Sequence, residues 1–449
     1  MHLFLLIFTT IILFIPIFKR IDSQGRIDLR DPIYLFLLGF FLYLVASQLD
    51  TQYPSYLVKN NFSYETKLYA AKIVFLSACF FCFLDFALYK KKLNFNLNYF
   101  TLNKESSIIF FSILSLISVI FIYLNLSRFG NFFEFIFSDT SKGEKYYKMR
   151  QIGNYPFDAF FLLSFVAGII ILNFYKKNIY KSILINLLFF SPYLIYKFYV
   201  FDRSLIIKYF IFTFYLIVYE KKIKIKLTDK KNIIYIFLIL FLFYGFSKAG
   251  EIRKPLQNLI VNKELSYSSF KKLMVFNKNN YLREFKNTNL GFLYLIENRD
   301  FIKNDGSITY LNIFYNNIPR SFLKKFNNIK EKNDLDFISE HITNVYWIVH
   351  IDRINPISIT NHPLTEAFYN FKSFAFLVFP IIYYFTYKFL LTILYCNNYF
   401  LSRSALMIVP GLFLGFRITY ASFGSLFFYF FVYLFLYFII NYSCRWLQR

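Results

Sequence analysis

Three arginines, a glutamate and a histidine stand in this chain where they can act on a charged ligand beside a bilayer. Arg203 lies in a short turn between two apolar blocks, Phe201-Asp202-Arg203-Ser204. There its guanidinium sits near the bilayer edge with a fork that matches a phosphate, although Asp202 beside it can equally neutralise it. Arg417 lies within the apolar stretch Gly411-Leu412-Phe413-Leu414-Gly415-Phe416-Arg417-Ile418-Thr419-Tyr420, where no carboxylate occurs at helical spacing. An arginine at membrane depth is costly, so it either faces a cavity or buried partner or snorkels to the interface. Arg320 follows Ile318-Pro319, and the fixed φ of proline presents it rigidly. Pro363, after Asn361-His362, starts a helix on which Glu366, Tyr369 and Asn370 share a face at i, i+3 and i+4, running straight into the next apolar block. Glu366 is then either a carboxylate fixed at the membrane surface or an ordinary first-turn acid meeting the helix dipole. His362 is either a chemical group or a surface residue beside a proline, while His341 and His350 lie on an apolar-patterned segment and read as structural.

A second basic stretch opens with Arg128-Phe129-Gly130 and the aromatic run Phe132-Phe133-Glu134-Phe135-Ile136-Phe137, and continues through Lys145-Tyr146-Tyr147-Lys148-Met149-Arg150. The aromatic run is too short to cross a bilayer and suits an interfacial helix. Cations beside tyrosines at a membrane surface suit a lipid-linked anionic ligand; the same residues also make an interfacial anchor that needs no ligand.

The elements that must position these groups are membrane spans. The chain has 449 residues, of which 57% are hydrophobic and only 17% charged, with a mean hydropathy of +0.43. The apolar residues fall in separated blocks, which makes this an all-α polytopic integral membrane protein. Its formal net charge is +25, but the cations cluster in short connections beside the blocks, where topology explains them, so no nucleic-acid partner is expected. Blocks of about 20 residues place about eleven helices at Met1 to Phe18, Ile33 to Ser47, Leu68 to Tyr89, Ser107 to Leu126, Phe157 to Tyr175, Ser182 to Val200, Leu205 to Tyr219, Asn232 to Ser247, Ser373 to Tyr395, Ser404 to Tyr420 and Leu426 to Ile440. The first block is followed by Lys19-Arg20 rather than by a small-residue cleavage site, and reads as a span, not a signal peptide.

This divides the chain into a first membrane block (1–247), with a short loop at 127–156, a large polar loop (248–372), and a second membrane block (373–449). The positive-inside rule assigns the short basic connections to the cytoplasm: Lys19 to Arg30, Lys90-Lys91-Lys92, Lys176 to Lys181, Lys221 to Lys231, Arg403, and Arg445 with Arg449. The expectation is an outside N-terminus, a cytoplasmic C-terminus and a large loop on the periplasmic side. Cys79 and Cys82 lie in an apolar block with no second ligand pair at metal spacing, and read as small side chains packing between helices.

Two segments of the large loop carry a resemblance. They are Asn312-Ile313-Phe314-Tyr315-Asn316-Asn317-Ile318-Pro319-Arg320-Ser321-Phe322-Leu323-Lys324-Lys325-Phe326 and His362-Pro363-Leu364-Thr365-Glu366-Ala367-Phe368-Tyr369-Asn370-Phe371. The chain resembles the oligosaccharide repeat-unit polymerases, the Wzy-type O-antigen and capsule polymerases of bacteria. Members carry Ile-Pro-Arg followed by a basic residue, here Ile318-Pro319-Arg320 with Lys324 or Lys325, and a Pro-hydrophobic-x-Glu-Ala-Tyr-x-Asn-Phe-Gly stretch leading into a span. The sequence departs from that second motif where glycine is expected after Phe371 and Lys372 stands instead.

The resemblance implies a lipid-carrier-dependent glycosyltransferase of the bacterial inner membrane, making lipopolysaccharide O-antigen, capsule or exopolysaccharide. It implies undecaprenyl-diphosphate-linked oligosaccharides as donor and acceptor, membrane lipid around the chain, and a chain-length regulator and a flippase as partners. Arg203 and Arg320 would stabilise the leaving diphosphate with help from Arg150, Lys325, Arg417 and Arg128, and Glu366 or His362 would be the base. No acidic pair at metal-ligand spacing occurs on the outer side, so transfer without a metal or cofactor is expected. An O-antigen ligase and a lipid-linked-oligosaccharide flippase are the alternative readings.

Overall fold

In the computed structural model of the chain, residues 1–49, 62–89, 102–127, 157–200, 203–226, 229, 283–299, 362–417 and 420–447 are described. They are mostly helical. In chain order the elements are α1 (His2–Phe18), β1 (Arg26–Asp28), α2 (Ile33–Phe40), α3 (Tyr64–Leu88), α4 (Lys104–Ser127), α5 (Phe157–Lys176), α6 (Ile179–Val200), α7 (Arg203–Lys221), β2 (Lys224–Lys226), α8 (Arg283–Glu297), α9 (Pro363–Phe371), α10 (Ala375–Leu394), α11 (Tyr399–Ser404), α12 (Val409–Leu414) and α13 (Tyr420–Leu447). Three stretches, Tyr64–Leu88, Pro363–Leu394 and Leu426–Trp446, are long and apolar enough to cross a membrane, and shorter apolar helices pack among them. The block expected at Asn232 to Ser247 lies outside the described residues, as does most of the large loop.

Local chemistry sets the helix boundaries. Ser63 starts α3: its hydroxyl accepts the Thr66 N–H at 3.1 Å, and Glu65 occupies the first turn. Asn398 caps α11 in the same way, accepting the Leu401 N–H at 2.9 Å. Between α1 and α2 the chain reverses in a turn that takes Gly25 to φ 71°, a conformation costly for a residue with a β-carbon. Asp22 accepts the N–H groups of Arg26 and Gln24 across that turn, each at 2.9 Å. These bonds, the one from Arg26 foremost, hold its carboxyl down to about 2. The strand after the turn is an addition to the expected all-α chain: β1 pairs antiparallel with β2, with Arg26 opposite Lys226 and Asp28 opposite Lys224.

The basic connections gather at one end of the bundle, around a buried ion cluster. Arg20 is 8% exposed. Its Nε meets Asp31 at 2.7 Å, and its two terminal nitrogens meet the Asp85 carboxylate at 2.9 and 2.7 Å. Tyr387 donates its hydroxyl to Asp31 at 2.9 Å, and Lys388 donates to the Tyr89 carbonyl at 3.1 Å. Burial alone would lower the pKa of Arg20, but the hydrogen bond to Asp85 and the surrounding anionic groups hold it above its ordinary value. Four parts of the chain, the ends of α1 and α3, the connection before α2 and the last turns of α10, are thus tied together. A second tie at the same end joins α7 to α11 through Arg403 and Glu220 at 2.7 Å. The Arg403 guanidinium also lies over Tyr399, 4.9 Å from the ring centre, and Tyr399 accepts from Asn173 at 2.7 Å.

Two rods depart from the regular helix expected of a span. The rod from Ile33 continues beyond α2 through a π turn (Phe41–Val45) and a 3-10 turn (Ala46–Gln48). The block expected as one helix from Ser404 to Tyr420 is instead α11, a 3-10 turn (Ala405–Met407), α12 and a second 3-10 turn (Gly415–Arg417). Pro410, at the start of α12, lacks the N–H an unbroken helix would use. Residues 400–416 are almost wholly buried, as interrupted backbone at membrane depth must be. Phe416 fixes the far end of this rod. Its ring lies 5.3 Å from Phe36, 5.5 Å from Tyr383 and 6.0 Å from Phe379, and it fills the notch left by Gly39, where a β-carbon would stand 2.5 Å from the ring.

Candidate functional site

The opposite end of the bundle carries Glu366. His362 starts α9 by an uncommon cap: the Thr365 N–H donates to its ring Nδ1 at 3.0 Å, with Pro363 in the first turn. The ring is fully buried rather than lying on the surface. Desolvation holds its pKa down at about 3. Because Nδ1 accepts from the backbone, the proton of the neutral ring belongs on Nε2, and that Nε2 is buried with no hydrogen-bond partner. His362 therefore offers a proton for a hydrogen bond and has no free lone pair with which to act as a base.

Glu366 is 1% exposed and lies in the first turn of α9. Asn370 folds back one turn and donates to the Glu366 carbonyl at 2.7 Å. The helix does not run straight into α10 as expected. It stops at Lys372, which takes φ 49° and ψ −126°, and a 3-10 turn (Lys372–Phe374) precedes α10. Only glycine adopts that backbone conformation cheaply. The break falls at the place where the resemblance calls for glycine.

Two neighbours enclose α9. The first is α8, an amphipathic helix from the polar loop whose Leu290, Phe292, Leu293, Leu295 and Ile296 are buried. Phe292 meets the His362 ring at 5.2 Å and Phe368 at 5.7 Å. Helix α8 packs on α3 and on the irregular Phe41–Gln48 segment as well as on α9, and Glu297 accepts the Ser63 N–H at 3.3 Å. The second neighbour is the Gly415–Arg417 turn, which also contacts α9. Tyr69 on α3 meets the Lys372–Phe374 turn through a 2.8 Å hydroxyl contact with Ser373.

Of the residues expected to form a site, Glu366, His362 and the backbone of Arg417 come together. Arg203 is the first residue of α7, whose other end lies with Glu220 in the basic layer. It therefore belongs to the Glu366 end, one helix length of about 28 Å from Lys221. Arg128, Arg150, Arg320 and Lys325 lie outside the described residues. Asn289 and Gln48, buried beside this group, had no part in the sequence-based site. The signal for Asn289 was the apolar run Leu290 to Ile296 inside a polar loop. Arg20 and Asp85 were also missed as a pair, although an aspartate in an apolar span calls for a partner.

No protein-family model matches the chain, and no curated protein or solved structure does.

Proposed function

We propose that this chain is an oligosaccharide repeat-unit polymerase, a metal-independent glycosyltransferase that joins undecaprenyl-diphosphate-linked units into O-antigen, capsule or exopolysaccharide chains. In this reading it is a multi-pass protein of the bacterial inner membrane with about eleven helices. The Arg20 end faces the cytoplasm together with the C-terminus, and the Glu366 end, the N-terminus and the 248–372 loop face the periplasm. The sorting of the basic connections to one end supports that orientation.

The observation that carries the proposal is the packing of α9 against the Gly415–Arg417 turn, which sets a buried carboxylate beside a segment that bears an arginine. In the reaction, Glu366 takes the proton from an acceptor hydroxyl, the hydroxyl oxygen bonds to the anomeric carbon of the donor, and the bond from that carbon to undecaprenyl diphosphate breaks. Charge grows on the departing diphosphate, and fixed guanidiniums act where charge develops; that work falls to Arg203, Arg320 and Arg417. Arg128, Arg150 and Lys325 would hold the headgroups at rest. The base is Glu366 rather than His362, whose Nδ1 is committed to the helix cap.

The test is the glycan ladder of a deletion strain. A polymerase mutant displays single-repeat glycan, a ligase mutant keeps long polymer on its carrier, and a flippase mutant accumulates lipid-linked units inside. The proposal expects single-repeat glycan, lengthened by the wild-type chain and not by Arg320→Ala. Full-length chains made with Arg320→Ala would remove Arg320 from the mechanism, and an unchanged ladder in the deletion strain would overturn the function.

A further inference from the structure

We infer that Asn289, on the buried face of α8, is a substrate-binding residue that reads a hydroxyl of a sugar ring laid beside Phe292 at the Glu366 end. The inference rests on the polymerase reading for the identity of the ligand as a sugar, and on the structure for the residue.

Asn289 is fully buried, and neither its amide nitrogen nor its amide oxygen has a hydrogen-bond partner. Buried amides are normally paired, because an unpaired donor or acceptor forfeits its hydration with nothing in return. Among the described residues, Asn289 is the side-chain amide left with both polar atoms unpaired and no neighbour to meet them, and it lies at this end. Gln48 closes the irregular Phe41–Gln48 segment on which α8 packs, and its amide is spoken for by the neighbouring His2 ring. A further unpaired group here is the His362 Nε2, on a ring that touches Phe292. Asn289 and Phe292 are three residues apart and therefore share a face of α8. Two separate elements, α8 and the start of α9, thus bring unpaired polar atoms to the contact that Phe292 makes with His362.

That set has the chemistry of sugar recognition. A hydroxyl both donates and accepts, as a carboxamide does. The His362 Nε2–H adds a donor, and the apolar face of a pyranose suits an aromatic ring. The orphaned hydroxyls elsewhere in the bundle carry no such meaning, because a serine or tyrosine hydroxyl rotates to a nearby carbonyl or water, whereas an amide must have both of its ends met. Leucine at 289 would fill nearly the same space without the polar burden.

The test compares wild type and Asn289→Leu in the full-length chain, reading both thermal unfolding of the purified protein and the glycan ladder in the deletion strain. For Asn289→Leu the unfolding temperature is expected to hold or rise, since the orphaned amide is gone. The ratio of polymer to single-repeat glycan is expected to drop at least tenfold and to recover in part when the supply of lipid-linked repeat unit is raised. Asn289→Ser, which keeps a hydroxyl, should retain more polymer than Asn289→Leu. A full ladder from Asn289→Leu overturns the inference. Loss of ladder together with loss of folded protein overturns it as well, because the amide would then serve the fold. If the wild-type chain itself fails to lengthen the glycan, the polymerase reading fails instead, so the two failures are separable.

Discussion

The buried charges at one end of this bundle and the Asn289 amide at the other are treated in opposite ways. At the Arg20 end the buried charges meet their partners: Arg20 is held between Asp31 and Asp85, and Tyr387 closes the ring onto Asp31. At the Glu366 end two buried polar groups are left open, the Asn289 amide and the His362 Nε2. Neither arrangement is the cheapest way to fill a membrane protein. A satisfied ion cluster can often be replaced by apolar residues at little cost, but it becomes expensive when half of it is removed. Unsatisfied groups cost free energy continuously unless a ligand or water meets them. The contrast teaches that the Arg20 cluster is specified by its own contacts, whereas the Asn289 amide is not.

The largest effect that sharpens this contrast comes from Asp85→Ala. It would take the bidentate partner from the Arg20 guanidinium, whose side chain is 3% exposed, and leave Asp31 as its one carboxylate; breaking a buried ion pair costs up to about 3–5 kcal/mol. Chemical or thermal unfolding of the purified chain should show that loss, with Asp85→Asn, which keeps a hydrogen-bond acceptor for Arg20, losing less. An Asp85→Ala protein as stable as wild type would break the comparison, because the Arg20 end would then not be the one held by its own contacts.

Much of this architecture was legible in the sequence. Apolar blocks located α1, α3, α4, α5, α6, α7 and α10 to within a few residues, since an unbroken run of apolar side chains is what a span requires. The cap at His362-Pro363 and the face carrying Glu366 followed from helix-start chemistry. What could not be read were the places where tertiary packing overrides local pattern. The Ser404 to Tyr420 block is as apolar as a straight helix, yet it breaks around Pro410 because it is enclosed by other helices that satisfy it. The buried helix α8 hides in a polar loop because only one side of it is apolar. Arg20, Asp31, Asp85 and Tyr387 are spread over more than 360 residues of sequence, so their union is a property of the bundle alone.

A middle-sized effect tests how the two ends communicate. Gly39 lets Phe416 seat against α2, and Phe416 immediately precedes Arg417. Gly39→Ala would drive a methyl group into that ring, and overpacking of this kind costs about 1–3 kcal/mol. Because the strain falls on the rod that carries Arg417, under the proposed polymerase reading the glycan ladder should shorten by more than the loss of folded protein explains. Gly39→Ala together with Phe416→Leu should restore stability. Ladder length that tracks folded protein alone would show that the Phe416 cage does not set the site.

The smallest effect concerns Lys372, and it isolates a single backbone conformation. At φ 49° and ψ −126° a β-carbon is strained, at a cost of about 1–3 kcal/mol for a residue other than glycine. Lys372→Gly removes that strain but also makes the unfolded chain more flexible, so the net gain should be only about 1 kcal/mol. Lys372→Ala loses the same side chain and keeps the strain, so the difference between the two variants reads the backbone alone, independently of what the lysine touches. If Gly exceeds Ala in unfolding free energy, the strained break between α9 and α10 is kept in the folded chain, and the glycine of the resembling motif has its physical reason. If Gly and Ala behave alike, the α9–α10 junction is relaxed in the folded chain, and Glu366 is positioned by α8 and the Gly415–Arg417 turn without help from the break.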